Sequence, residues 1–224
     1  MKWGSFGGAD INYFLIKNKQ CFAVFRQGLV NQADTDDLPI QRFHRQKRIA
    51  KEKMAYEKGG ALGLTPKLLF AFEDGVVCEY IDGTRMWTLL QHDKSRIWTI
   101  LEDVIKIYAQ LHQLGITHLD ATLKNCIWDE KEAKIKIFDF EYYAIEAMSF
   151  ELQEAYDYVR IIEHSLRTIP VDYQSDFMPI ISLLKKITSD EIKHVDFSSV
   201  RGLINGIKQF PIYEALHKEV FYNL

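Results

Sequence analysis

The feature that most constrains this chain is the run His118-Leu119-Asp120-Ala121-Thr122-Leu123-Lys124-Asn125, with Ile137-Phe138-Asp139-Phe140-Glu141 behind it. Asp139 stands fourteen residues beyond Asn125. Two carboxylates and a carboxamide at this spacing provide a proton acceptor and the oxygen donors that a small, hard divalent cation prefers.

The flanks set these residues on defined elements. Ahead of the run, Ile97, Ile100, Leu101, Val104, Ile105, Tyr108 and Leu111 step at helical intervals, which predicts a helix capped by Asp93 and closed by Gly115. Behind it, Cys126-Ile127-Trp128 and Lys134 to Phe138 read as a hairpin. The run is therefore a loop between helix and hairpin, and Asp139 ends a strand.

The N-terminal part reads as strands with one long helix. Gly4-Ser5-Phe6-Gly7-Gly8-Ala9-Asp10 is glycine-rich and leads into a strand, Ile11 to Ile16; a turn at Lys17-Asn18-Lys19 precedes a second strand, Cys21 to Arg26. Asp34 to Asp37 read as loop and helix start, with Pro39 in the first turn of an exposed, charged helix that Gly59-Gly60 ends after Lys58. Lys67 to Phe72 and Val76 to Ile81 form a hairpin across Glu73-Asp74-Gly75.

His-x-Asp-x-x-x-x-Asn at 118–125 and Asp139-Phe140-Glu141 resemble the H-R-D-x-x-x-x-N loop and D-F-G of the protein-kinase-like superfamily. Only about ten residues separate Asp139 from the next helix, which begins near Ser149, and no A-P-E follows. Together with Glu52 ahead of Pro66-Lys67-Leu68-Leu69, and Ala155 to Ile162 on that helix, this is similar to an atypical short branch. The branch includes aminoglycoside and choline phosphotransferases, lipopolysaccharide-core sugar kinases and Rio-type kinases.

The resemblance implies an α+β, bilobal kinase-like fold: a small β-rich N-lobe over 1–78, a hinge at 79–82, and an abbreviated helical C-lobe over 83–224. It implies ATP and Mg²⁺ as cofactors, with phosphoryl transfer to a hydroxyl of a small molecule or of a protein. Asp120 would be the base, Asn125 and Asp139 the metal ligands, and Lys124 a γ-phosphate contact or a solvated residue. Gly7 and Gly8 would cover the phosphates, and Glu79, Tyr80 and Ile81 would meet adenine through their backbone. Arg26 stands where such kinases carry Lys; Glu52, with Glu57 as rival, would pair with it. That Arg keeps a nucleotide-binding pseudokinase as the alternative. Asp157 either caps the loop from beneath or lies on an exposed face, and His118 reads as a loop brace.

Other classes recede. The net charge of -3 has its basic residues scattered, so no nucleic-acid footprint stands out. Cys21, Cys78 and Cys126 lack C-x-x-C spacing, which fits reduced thiols in a cytoplasmic protein. No apolar run nears the ~18 residues of a membrane span, and the N-terminal residues lack a signal-peptide core. Beyond Pro170 and Pro179 the chain reads as short helices, the last from Pro211 to Tyr222.

Overall fold

The computed structural model describes residues 2–7, 10–28, 38–42 and 44–224, with side chains from residue 10 onward. The fold is mixed α+β, and the chain divides into two compact units, Met1–Thr84 with Ile127–Tyr143, and Arg85–Cys126 with Ala144–Leu224.

In the first unit, strands β1 (Lys2–Gly7), β2 (Asp10–Lys17) and β3 (Gln20–Gly28) precede a short β4 (Ile40–Arg42) and helix α1 (Arg45–Ala61). After α1 come β5 (Leu68–Ala71), β6 (Gly75–Glu79), β7 (Gly83–Arg85), β8 (Cys126–Asp129), β9 (Lys134–Ile137) and β10 (Tyr142–Ala144). The main sheet is antiparallel, in the order β1-β2-β3-β6-β5. β4 pairs with β10, and β7, β8 and β9 make a third sheet. Asn18 (φ 52°) and Lys19 (φ 67°) supply the two positive φ angles that a two-residue hairpin matched to strand twist requires. The pairing Lys17↔Gln20 closes that turn.

Three expectations change here. Pro39 lies in a bend ahead of β4, and α1 starts at Arg45. Gly59 and Gly60 do not end the helix; they are buried inside it, and a Cβ on Gly60 would come 3.0 Å from both Lys67 Cα and Pro66 O. Close approach of the following segment, not termination, is what these glycines permit. Nor is α1 simply an exposed charged helix, since Arg48, Lys51 and Glu52 are buried on it. Asp34 to Asp37 lie outside the described residues.

Gly83 shows how tightly β7 and β8 approach, because an added Cβ would overlap the Trp128 carbonyl. Backbone cannot yield as a side-chain tip does, so Gly83→Ala should cost about 2–4 kcal/mol of stability. Urea unfolding reads this directly, and a loss below ~0.5 kcal/mol would contradict the packing.

The second unit holds α2 (Met86–His92), α3 (Ile97–Gln113), α4 (Phe150–Leu166), α5 (Met178–Ile187), α6 (Asp190–Lys193), α7 (Arg201–Ile204) and α8 (Tyr213–Glu219). α3 buries Ile97, Ile100, Leu101, Val104, Ile105, Tyr108 and Leu111, the stripe read from the sequence. It ends where Gly115 (φ 75°) donates to His112 O and Ile116 to Leu111 O, a Schellman motif that needs the left-handed glycine. Asp93 caps a 3₁₀ turn at Lys94–Arg96 that leads into α3, rather than α3 itself. Ser149 caps α4 by accepting from the Leu152 amide. The last helix is shorter than expected, spanning Tyr213–Glu219. Among the described residues no helix is long and apolar enough to cross a membrane.

Candidate functional site

In the second unit the loop after α3 is organised from below by Asp157 on α4. Its side chain is fully buried, and its two oxygens accept from the backbone N–H of His118 and of Leu119, each at 2.7 Å. His112 Nε2 approaches the same carboxylate at 3.1 Å. Burial works to raise the Asp157 pKa, but the hydrogen bond and charge of His112, with His118, outweigh it and hold the carboxyl below its ordinary range. Of the two readings of Asp157, the cap is the correct one. Leu119 is held at φ 69°, a conformation that costs a non-glycine residue on the order of 1 kcal/mol and that the Asp157 bonds help maintain.

The same loop binds Asp120 and Asn125 together. Asn125 Nδ2 donates to the Asp120 carbonyl (3.0 Å) and to Asp120 Oδ2 (3.2 Å). The amide nitrogen of Asn125 is thereby committed to Asp120. His118 is fully buried and braces the loop by accepting from the Asp120 amide at Nδ1, at 3.2 Å. Asp120 stays about a third exposed. Lys124 is exposed, with its ammonium 5.6 Å from the centre of the Trp87 ring.

In the first unit Arg26 on β3 is the centre of a buried ionic cluster. Its guanidinium meets Asp10 (2.9 Å), Glu52 (3.0 Å), Asp139 (2.5 Å) and Glu141 (3.3 Å). Arg48 pairs with Asp10 at 2.9 Å and Arg42 with Glu141 at 2.8 Å. Burial disfavours the Arg26 charge, yet Asp139, Glu52 and Asp10 more than restore it, so its pKa lies well above normal. Glu52 is the partner of Arg26, while its rival Glu57 is exposed. Asp10, Arg42, Arg48 and Glu141 were not singled out from the sequence, because charged residues near turns and helix starts ordinarily face solvent.

Asp139 is positioned by its neighbours. Phe140 is fully buried and packs edge-on against Tyr56, with ring centres 6.1 Å apart. The Tyr56 hydroxyl donates to Glu52 Oε1 (2.7 Å) and accepts from the Asp139 amide (3.4 Å). Asp139 itself sits at φ 77° with 30% of its side chain exposed.

Four carboxylates against three guanidiniums leave the cluster one negative charge in excess. Burial pushes Glu52 up to about 7, with Arg26 opposing and Asp139 adding to the rise. Glu141 is likewise pushed to about 7 by burial and Asp139. A carboxyl whose folded pKa exceeds its unfolded value stabilises the fold fully below the unfolded value, and that contribution is lost as pH rises through the folded one. Stability should therefore fall between about pH 4.5 and 7. Glu52→Gln should flatten that slope by about 1–3 kcal/mol in denaturation series across the window, and parallel curves would contradict it.

Gly7 ends β1 and pairs with Asp10, whereas Gly8 lies outside the described residues. At the end of β6, the Glu79 amide donates to Lys67 O and the Tyr80 amide to Phe22 O. Those two donors are committed to neighbouring strand segments. The Glu79 carboxylate is tied down by Lys136 (3.3 Å), a buried ammonium that also meets Asp129 (2.9 Å) and Glu132 (3.1 Å). Among the described residues no three His, Cys, Asp or Glu side chains cluster as a metal site. Magnesium bound with phosphates asks for only one or two protein ligands, and a carboxylate such as that of Asp139, or a carboxamide such as that of Asn125, is by itself a donor type it accepts.

No protein-family profile matches the chain. A 69-residue stretch is 33% identical to the probable serine/threonine-protein kinase fnkB of Dictyostelium discoideum. That match covers 29% of this chain and 13% of the length of the relative. The similarity is to a protein kinase and is confined to part of each sequence.

Proposed function

We propose that this chain is an ATP-dependent phosphotransferase with a bilobal kinase-like fold, which moves the γ-phosphoryl group to a hydroxyl. The observation that carries the reading is the loop in which Asp120 and Asn125 are bonded to each other and held from beneath by buried Asp157. The partial similarity to a protein kinase supports it.

Asp120 orients the acceptor hydroxyl and takes its proton; the hydroxyl oxygen bonds to the γ-phosphorus, and the bond to the β–γ bridging oxygen breaks to release ADP. Asn125 and Asp139 would each offer an oxygen ligand to magnesium, which would neutralise phosphate charge. Arg26, held by Glu52, contacts the phosphates, and Gly7 at the end of β1 covers them. The peptide bonds around Ile81 meet adenine. A sugar-like or other small hydroxyl compound is favoured over a peptide. Nine residues lie between Asp139 and Ser149, the cap of α4, too few for a long peptide-docking segment.

Incubating the protein with γ-labelled ATP against a panel of sugars and amino alcohols, and in parallel against a lysate proteome, tests this. Magnesium-dependent label in the small-molecule fraction is expected. Label in polypeptide alone would shift the substrate to protein, and no magnesium-dependent turnover at all would overturn the reading.

One observation favours a second reading, a nucleotide-binding pseudokinase. Arg26 is ion-paired with Asp139, the carboxylate assigned to the metal. Arg26→Lys separates the two, because a compact ammonium cannot span four carboxylates at once. Turnover that emerges only in the variant marks a pseudokinase; a wild type at least as active as the variant marks an enzyme adapted to arginine.

A further inference from the structure

We infer that Arg160 and Lys124, flanking Asp120, form a subsite for an oxyanion on the acceptor molecule, so that the hydroxyl compound used by this site is itself negatively charged. The inference rests on the reading of Asp120 as the base and names the substrate class of that site.

In the second unit Arg160 lies beside Asp120, and Lys124 stands on the same loop. Arg160 Nη2 is 3.7 Å from Asp120 Oδ1, near enough to share a ligand but beyond hydrogen-bond length. Arg160 Nη1 reaches Glu163 at 3.2 Å, and Glu163 is fully buried. Arg167 donates to the other oxygen of Glu163, Oε1, through Nη2 at 2.5 Å and Nε at 3.1 Å, so that Arg160 holds Oε2. Arg160 spends only Nη1 on that carboxylate, and its Nη2 makes no hydrogen bond to Asp120 at 3.7 Å. Its buried Nε also meets no acceptor among the described residues. A guanidinium with donors to spare beside a carboxylate base is suited to receive a carboxylate or phosphate.

Lys124 adds a second cation. It is exposed and forms no ion pair among the described residues; its ammonium rests against Trp87, a weak hold that an anion can outcompete. On the opposite flank, His164 packs on the same Trp87 ring at 5.8 Å, with its buried Nδ1 also lacking a partner among the described residues. Burial, followed by the charges of Arg160 and Lys124, holds His164 below its usual pKa, with Arg167 in the same sense and Asp120 opposing. Arg160 and Lys124 thus place positive charge near His164, with the Asp120 carboxylate opposing. An acceptor with a neutral hydroxyl face alone would leave this charge unused; a sugar acid, sugar phosphate or phospho-alcohol would match it.

Trp87 and His164 report on the subsite without any turnover. The full chain is titrated with sodium phosphate in one arm and sodium acetate in the other, against sodium chloride at matched ionic strength. The indole N–H of Trp87, assigned with Trp87→Phe, and the ring resonances of His164 are followed by NMR. Saturable shifts at both residues are expected with phosphate or acetate, the stronger arm identifying the oxyanion. Arg160→Gln should weaken binding at least about tenfold, and Arg160→Lys should retain it within about threefold. No saturable shift up to about 50 mM of either anion, or equal binding by Arg160→Gln, would overturn the subsite. Calorimetry of Mg-ATP on the same samples separates the two claims: nucleotide binding without anion shifts removes the subsite alone, and anion shifts without nucleotide binding remove the phosphotransferase reading.

Discussion

Replacing Asp139 by Asn is expected to lower magnesium-dependent phosphoryl transfer by about 10³-fold or more, while leaving the protein folded. The substitution keeps the side chain's shape and removes the charge that makes it a ligand for a hard cation, a loss worth several kcal/mol at a site where charge neutralisation is most of the catalysis. The fold should tolerate it, since Arg26 retains Asp10, Glu52 and Glu141. Removing one of four crowded carboxylates also relieves repulsion, because Asp139 is among the groups that push Glu52 and Glu141 upward. The check is a turnover assay beside a thermal melt. Activity within about threefold of wild type in a folded variant would end the assignment of Asp139 to the metal.

Asp157→Ala is the variant expected to cost most in stability, about 3–5 kcal/mol. It strands two buried backbone donors, those of His118 and Leu119, and removes the acceptor of His112. The positive φ of Leu119 loses its support at the same time. Asp157→Asn, which keeps one acceptor oxygen, should fall between. Denaturant unfolding followed by a probe in the helical unit reads both, and a loss under about 1 kcal/mol for the alanine variant would mean that the loop is held by something else.

The loop and its flanking helix were legible because both obey short-range rules. The stripe of α3 and Gly115 follow from helical period and C-capping, and His118 to Asn125 fall in the interval these leave. What escaped depends on long-range contacts. Asp10 and Glu141 lie far apart in sequence yet share Arg26, and although Glu141 falls within the Asp139-Phe140-Glu141 motif, no local pattern marks either as a partner of Arg26. The helix α1 misled for a related reason: residues with the composition of a solvated face are buried there because Arg48 and Glu52 find ionic partners. Gly59 and Gly60 are the other instructive case, since a glycine pair reads as a stop by propensity while a close neighbouring backbone requires it inside the helix. Glu52 was separable from Glu57 only once their faces of α1 were known.

The measurement that bears most directly on the central claim is a calorimetric titration of the purified chain with ATP, with and without magnesium, alongside Asp139→Asn. Saturable binding that strengthens at least about tenfold with magnesium, and loses that gain in the variant, is the predicted result. Wild-type protein that binds no nucleotide in the presence of magnesium would contradict the account.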